Sequence, residues 1–233
     1  MHVAELWRYP IKSLAGERLE FAELTLDGIA GDRIVHVRGP HGPLTARARH
    51  GLVTVPVRTG SDGSPQVAGH PWDTDQARAI IETHGGAGAE LVAYEGPERF
   101  DVLNLLVATD GAVYQFGHDI RRLRPNMLIA GVPAKAEPDW PGQALAIGDA
   151  IIGIHTQRHR CVVTSIDPDT GDTDPEVSRR IRRLFDNQLA LNCWVIRPGT
   201  IRIGDIARLE PTDEQPADLG GWIVGASYNI AKS

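Results

Sequence analysis

Short apolar runs divided by turn residues constrain the fold of this chain more than any other feature. The runs are rich in β-branched residues and alternate with polar ones, which predicts strands. Turn-forming residues, among them 25 glycines and 16 prolines, separate the runs. The expected fold class is therefore mainly β with a few helices (α+β). The predicted strands lie near residues 2–9, 19–26, 34–38, 53–57, 91–94, 103–108, 127–130, 144–155, 162–166, 189–196 and 200–210.

Two helices interrupt the β pattern. Asp174 is an N-cap candidate and Pro175 stands at the first helical position, before apolar residues with a 3.6-residue period. A second helix is predicted over residues 74–83, before Gly85-Gly86 stops it. Two similar stretches, residues 145–151 and 201–207, each read as strand, Gly-Asp turn, strand. Both predict a tight hairpin.

Charge and composition exclude several classes of protein. The chain has 24 Lys and Arg against 30 Asp and Glu, a formal charge of −6. Broad nucleic-acid binding needs a net basic face, so no nucleic-acid partner is expected. No run approaches the roughly 18 apolar residues that span a bilayer, and the first ten residues lack the apolar centre of a secretory signal. We therefore expect no membrane association and a cytoplasmic location.

The densest group of reactive side chains lies at residues 155–161. In an extended strand, alternation would put His155, His159 and Cys161 on one face and Arg158 and Arg160 on the other. Nearby positive charge favours the thiolate, the form of cysteine that binds metal. One hypothesis for this face is a zinc site, although three ligands from one short strand would strain tetrahedral geometry. Ordinary surface and core roles are the alternative.

Five further segments occur in a fixed order along the chain, and together they are far more specific than any one alone. The segments are Tyr9-Pro10-Ile11-Lys12-Ser13, Gly31-Asp32-Arg33, Thr45-Ala46-Arg47, Arg124-Pro125-Asn126, and Arg160-Cys161 continuing to Asp167-Pro168-Asp169-Thr170-Gly171. This series resembles the MOSC family, the molybdenum cofactor sulfurase C-terminal domain proteins, in the form with an N-terminal MOSC β-barrel. The resemblance covers roughly residues 2–209 and is closest to the branch of the mitochondrial amidoxime-reducing components.

The resemblance implies a MOSC-type β-barrel packed with an N-terminal β-barrel-like domain. The expected division is an N-terminal domain at 1–95, a MOSC domain at 96–210 and a tail at 211–233. It also implies a molybdenum cofactor, Mo-molybdopterin, with Cys161 as metal ligand and catalytic residue. Arg and Lys suit the cofactor phosphate, while Ser and Asn suit phosphate or pterin edges. The implied cofactor-binding residues are Lys12, Ser13, Arg33, Arg124, Asn126, Arg160 and Cys161.

The function that the resemblance implies is two-electron reduction of N-oxygenated or similar oxo-donor small molecules. An alternative keeps the same cavity but makes the protein a non-redox carrier of molybdenum cofactor or of sulfur, through a persulfide on Cys161. Only Cys161 and Cys193 are present, so this chain cannot hold a four-cysteine iron–sulfur cluster. Electrons would then come from a separate flavin or iron–sulfur protein. Asp167 is expected to support the site from a turn rather than contact the cofactor, and His159 has no role that the resemblance assigns.

Overall fold

The computed structural model describes residues 1–94 and 99–216. Strands are the main regular structure in both halves of the described chain, which confirms the mainly β fold class. The first ten strands are β1 (His2–Arg8), β2 (Glu17–Leu19), β3 (Phe21–Thr25), β4 (Gly28–Ile29), β5 (Val35–Gly39), β6 (Gly42–Leu44), β7 (Val57–Thr59), β8 (Pro65–Val67), β9 (His70–Pro71) and β10 (Glu90–Ala93). The others are β11 (Leu105–Thr109), β12 (Met127–Ala130), β13 (Gln143–Ile147), β14 (Ala150–His159), β15 (Gln188–Arg197), β16 (Gly199–Arg202) and β17 (Ala207–Pro211).

A mixed sheet of eight strands forms the centre of the described structure. Its strand order is β17-β13-β14-β15-β11-β12-β1-β2. The β11–β12 pair is parallel, and the other pairs of this sheet are antiparallel. The sheet combines strands from both halves of the chain, because β1 pairs with β12. One face carries the largest apolar cluster, which includes Leu6, Val107, Ile129 and Leu191.

Three smaller sheets surround this one in the described residues, with strand orders β10-β5-β6, β16-β3-β4 and β7-β8-β9. A second apolar cluster, with Val37, Leu52 and Ile81 among its members, joins the first and third of these sheets to a helix. The strands of the first 95 residues thus divide between their own small sheets and the large one. The expected domain boundary at residue 95 stays a prediction. Of the expected C-terminal tail at 211–233, residues 217–233 lie outside the described residues.

Three α-helices lie in the described residues: α1 (Asp75–Gly85), α2 (Asp110–Phe116) and α3 (Pro175–Phe185). The Asp174 side chain caps α3 by accepting the Glu176 N–H, and Val177 and Ile181 are buried, as the sequence predicts. Thr74 caps α1 in the same way. Sequence reasoning missed α2, whose N-cap Thr109 is itself the last residue of a strand.

Two predicted strands are wrong. The stretch 53–57 begins in the 3-10 helix His50–Thr54 and only its last residue, Val57, starts a strand, while the stretch 162–166 contains the 3-10 helix Val162–Ser165. In each, a threonine hydroxyl donates to the carbonyl three residues earlier, Thr54 to Gly51 at 2.9 Å and Thr164 to Cys161 at 2.9 Å. This local bond favours a turn over a strand, and a short apolar run cannot signal the difference.

One of the two predicted hairpins is confirmed. The turn at Gly148-Asp149 joins β13 to β14, which pair antiparallel from Ile147 and Ala150 onward. The hairpin at Gly204-Asp205 is wrong, because β16 pairs with β3 and β17 pairs with β13. The Gly-Asp pair still forms a turn there, since the Asp205 carboxylate accepts the Arg202 N–H at 2.7 Å. The partner strand, and not the turn, decides whether such a pair makes a hairpin.

Candidate functional site

A cavity of about 370 Å³ opens where several strand ends meet. The segments after β1 and β6, the turn before β12 and the end of β14 all contribute to its wall. Seven of its lining residues are cationic: Lys12, Arg33, Arg47, Arg122, Arg124, Arg158 and Arg160. The structure brings six of the seven expected site residues into this wall, namely Lys12, Ser13, Arg33, Arg124, Arg160 and Cys161. Their roles stay predictions.

Three residues of the wall adopt a left-handed backbone conformation that side chains other than Gly rarely take. The angle φ is +75° at Ser13, +54° at Arg33 and +55° at Arg124. All three lie in turns at the ends of strands, Ser13 after β1 and Arg124 before β12. Such a conformation costs a residue with a Cβ about 1–2 kcal/mol, and outliers of this kind gather at ligand sites. The wall therefore holds these side chains at a cost in stability.

The end of β14 brings four consecutive residues, 158–161, into the cavity wall. The expected alternation of faces is wrong here, because the register of β14 on β15 shifts between Ile154 and Thr156 and again between Gln157 and His159. His155 packs edge-on against Trp194, with ring centroids 6.4 Å apart. Within residues 1–94 and 99–216, no three His, Cys, Asp or Glu side chains form a metal-binding group, so the zinc hypothesis is wrong.

Asp101 is a functional candidate that sequence reasoning missed. Its carboxylate bridges two cations of the wall, with Oδ1 2.9 Å from Lys12 Nζ and Oδ2 2.9 Å from Arg158 Nη2. Desolvation alone would raise the pKa of Asp101, but these two charges outweigh it and hold the pKa below its usual range. The bridge fixes Lys12 and Arg158 in place. No sequence signal marked Asp101, because it lies in a stretch that matches the expected motifs poorly.

Arg124 and Arg160 carry buried N–H groups that have no hydrogen-bond partner within residues 1–94 and 99–216. These groups are Nη2 of Arg124 and both Nε and Nη1 of Arg160. Burial and the neighbouring Arg158 lower the pKa of Arg160 to about 10. Burial, with Arg33 close by, lowers the pKa of Arg124 to about 10. Unpaired buried cations are costly, so this part of the wall is arranged to receive an anion.

Arg33 is held from two sides. Its guanidinium Nη1 donates to the carboxylate of the fully buried Asp32, and its Cζ lies 4.8 Å from the centroid of the Tyr9 ring. Burial would lower the pKa of Arg33, but the Asp32 carboxylate outweighs it and raises that pKa. The other Asp32 oxygen accepts the Tyr9 N–H at 2.7 Å. Arg33 therefore keeps its charge and its position at the cavity.

The two cysteines occupy opposite environments. Cys161 is exposed, lines the cavity and precedes the 3-10 helix Val162–Ser165. Cys193 is fully buried on β15 within the main apolar cluster, and that burial, followed by the nearby Glu137, raises the pKa of its thiol well above the usual range. Of the two thiols, Cys161 is the accessible one. It is the candidate for metal binding or covalent chemistry.

Asn126 lies behind the cavity wall. Its Nδ2 donates to the Trp7 carbonyl at 3.3 Å, and its Oδ1 accepts the Leu106 N–H at 3.1 Å. The side chain therefore joins β1 to β11. It reaches the cavity only through Arg33, whose Nη1 lies 3.4 Å from Oδ1. Among the expected cofactor-binding residues, Asn126 is thus the one with a bracing contact instead of a lining position.

Asp167 acts on the cavity through Arg122. Its Oδ1 accepts the backbone N–H groups of Asp169 and Thr170, which forms a turn, while Oδ2 lies 2.7 Å from Arg122 Nη2. Arg122 also donates to the Ser165 carbonyl at 3.1 Å. These contacts fasten the segment that follows Cys161. Thr45 and Arg47 line the cavity directly, and so does His159, which is exposed and has Nε2 3.3 Å from Gln188 Nε2.

The fold and the cavity define a mainly β protein with a cationic pocket beside one exposed thiol, and comparison with known families gives this class a name. The MOSC domain matches residues 82–208, and the MOSC N-terminal beta barrel domain matches residues 1–68. The chain belongs to the MOSC family. The resemblance noted in the sequence is confirmed.

Individual relatives are distant. Mitochondrial amidoxime-reducing component 1 of Homo sapiens is 24% identical, with 87% of this chain and 81% of that protein covered. The Mus musculus protein of the same name is 29% identical over 58% of this chain, and the match spans only 42% of that relative. The crystal structure of the YuaD protein from Bacillus subtilis has a TM-score of 0.52 at 14% identity, covering 91% of this chain and 96% of that one. This last likeness concerns the fold alone.

None of α1, α2 and α3, the α-helices of the described residues, has the length and apolar character needed to cross a bilayer.

Proposed function

We propose that this protein is a molybdenum-cofactor oxidoreductase that reduces small N-oxygenated or similar oxo-donor compounds by two electrons. The observation that carries the proposal is the meeting, in one cavity, of an exposed thiol and buried guanidinium N–H groups that have no hydrogen-bond partner among the described residues. Membership of the MOSC family, which is associated with the molybdenum cofactor, supports it. The name of the two mammalian relatives, mitochondrial amidoxime-reducing component 1, supports the reaction class.

The wall fits a phosphorylated pterin cofactor in size and charge. A volume of about 370 Å³ lies in the range of small-molecule sites, which is roughly 300–1,000 Å³. The free N–H groups of Arg124 and Arg160 suit a phosphate, since guanidinium groups bind phosphate through paired N–H donors. Ser13 and Arg33 would complete the part of the cavity wall that binds the phosphate of the cofactor. When bound, the cofactor supplies a metal centre that exchanges two electrons with the substrate.

The chain's own residues would bind the cofactor and orient the substrate. Cys161 would offer its thiolate to the metal, a soft ligand of the kind that such centres take. The Asp101 carboxylate offsets one of the two positive charges of Lys12 and Arg158, so these two side chains attract an anion less strongly than Arg124 and Arg160 do.

Electrons would come from a separate flavin or iron–sulfur protein. Two cysteines in 233 residues cannot build a four-cysteine cluster, and Cys161 is already assigned to the metal. We therefore propose a two-protein system, with small-molecule substrates and no nucleic-acid partner.

Metal and pterin analysis of the purified protein tests the proposal. The wild type is expected to contain near-stoichiometric molybdenum with a pterin and to reduce benzamidoxime with an artificial electron donor. Cys161→Ala is expected to lose that turnover. Cys193→Ala is the matched control, because it removes the buried thiol and leaves the cavity wall intact. Equal turnover by Cys161→Ala and the wild type would refute the assignment of Cys161.

The exposure of Cys161 also favours a second candidate function, a carrier of molybdenum cofactor or sulfur through a Cys161 persulfide. Mass spectrometry would detect an added sulfur atom on Cys161 and its transfer to an acceptor protein. Transfer without turnover of an oxo-donor substrate would favour the carrier. Turnover without a persulfide would favour the oxidoreductase.

A further inference from the structure

We propose that Tyr9 is a positioning residue whose aromatic ring, and not its hydroxyl group, holds Arg33 and Arg124 in place for an anion. The proposal deepens the proposed function, because it concerns how the cavity would grip the phosphate of the same cofactor. The phenol side chain is 2% exposed, and neither the family match nor the named relatives assign it a role.

Two guanidinium groups lie over this one ring. The Cζ atoms of Arg33 and Arg124 are 4.8 Å and 4.3 Å from its centroid, within the range of a cation–π contact. Two like charges so close would separate if nothing held them. The electron-rich face of one ring attracts both, so the ring offsets part of their repulsion.

The hydroxyl group of Tyr9 has no such contact. Its oxygen is buried, and among the described residues it has no hydrogen-bond partner. Burial raises the pKa of this phenol to about 12, so the group stays neutral in ordinary buffers. The hydroxyl group therefore holds neither arginine, and the contacts of Tyr9 with Arg33 and Arg124 are made by its ring.

The ring itself is fixed by its surroundings. The Tyr9 N–H donates to Asp32 Oδ1 at 2.7 Å, and the Tyr9 carbonyl accepts the Arg33 N–H at 2.8 Å. Gly16 lies against the ring edge so closely that a Cβ at residue 16 would overlap it. Arg33 Nη2 reaches the Arg124 carbonyl at 3.5 Å. Ring, carboxylate and both arginines thus form one connected unit at the cavity wall.

The experiment measures binding of inorganic phosphate to the full-length protein, freed of both metal and pterin, by isothermal titration calorimetry at low ionic strength. Tyr9→Leu removes the ring, and it is expected to weaken phosphate binding by roughly five- to thirtyfold, the range that one to two lost cation–π contacts would give. Tyr9→Phe keeps the ring, and it is expected to bind phosphate as the wild type does. The control is Phe116→Leu, the same loss of a buried ring in the apolar cluster of α2 and α3.

A second readout does not depend on any ligand. Protons above an aromatic ring resonate upfield, so the Nε–H signals of Arg33 and Arg124 are expected upfield in the wild type and in Tyr9→Phe, and at ordinary positions in Tyr9→Leu. If Tyr9→Leu fails to fold, the wild type and Tyr9→Phe still decide the question by these signals. The proposal is overturned by ordinary arginine shifts in the wild type, by absence of phosphate binding to it, by equal loss in Tyr9→Phe and Tyr9→Leu, or by unchanged affinity in Tyr9→Leu.

Failure of the proposed function is separable from failure of this role. A protein without molybdenum and pterin would refute the oxidoreductase. If its phosphate affinity and arginine signals nevertheless depended on the ring as stated, Tyr9 would keep its role towards a different phosphorylated ligand.

Discussion

Replacing Arg160 by methionine is expected to make the protein more stable while it destroys the anion site. The change removes the guanidinium group, whose buried Nε and Nη1 have no hydrogen-bond partner in the described part of the chain, and keeps an unbranched apolar stem. Burial, then Arg158, lowers the pKa of Arg160 to about 10 from an ordinary value near 12.5. At about 1.4 kcal/mol for each factor of ten, the folded state disfavours the charged form by roughly 3 kcal/mol.

Two losses reduce this gain. Methionine cannot replace the hydrogen bond from Arg160 Nη2 to the Leu123 carbonyl, which is 2.7 Å long and worth about 1 kcal/mol. Partial exposure of the side chain also screens its charge. The expected net increase in the free energy of unfolding is about 1–2 kcal/mol, which in a chain of this length raises Tm by roughly 2–8 °C.

Urea denaturation of the metal-free protein in a buffer without phosphate measures this difference. Arg182→Met is the matched control, because Arg182 is an exposed residue of α3 and its replacement should change stability by less than about 0.5 kcal/mol. The same Arg160→Met protein should bind inorganic phosphate more weakly than the wild type. Arg160→Met that is less stable than the wild type would refute the reasoning, since Arg160 would then contribute to the fold instead of opposing it.

Three further predictions concern the backbone conformation at Ser13, the packing at Gly16 and the carboxylate of Asp110. Ser13→Gly should stabilise the protein by about 0.5–1 kcal/mol relative to Ser13→Ala in urea denaturation, because only glycine removes the cost of φ +75°; equal stability would argue against that cost. Gly16→Ala should lower stability by about 1–3 kcal/mol and weaken phosphate binding, because the new Cβ would displace the Tyr9 ring; wild-type values for both would contradict this packing. Burial would raise the pKa of Asp110, but backbone N–H groups, chiefly that of Gly131, hold it below its usual range. A carboxylate with a lowered pKa stabilises the fold above its unfolded pKa, near 3.9, and loses this effect as pH falls through the folded value. Asp110→Asn should therefore cost about 1–2 kcal/mol at pH 7 and progressively less below about pH 4, and a cost independent of pH would refute this.

Local signals in the sequence predicted the elements whose causes are local. Asp174 and Pro175 specify the start of α3 because a cap and a fixed φ act within one turn, and the structure confirms both. The ordered motifs also named residues that now share one cavity. These motifs were informative because they identify turns that lie close together in the fold. Hydrophobic periodicity carries no such information.

Features that depend on distant partners were not predictable in this way. Simple alternation predicts which side chains of β14 share a face, but only as far as the strand keeps its register against β15. The register shifts depend on both strands and cannot be derived from the sequence of β14 alone. Asp101 is a functional candidate only because the fold places it between Lys12 and Arg158, which belong to two other parts of the chain. The two wrong strands, by contrast, failed on a local detail, a threonine that bonds back to the chain.

The pairing of β1 with β12 has a consequence for how this protein assembles. Leu6 meets Met127 across that ladder, about 120 positions further along the chain. The polypeptide must therefore close a very long loop before its central sheet is complete, which is slow in conformational search. A fragment that begins after residue 95 would leave the β12 edge with unpaired N–H and C=O groups, a template for aggregation. The two halves are accordingly expected to fold as one cooperative unit, because β1 covers the edge of β12 that the second half alone would leave exposed.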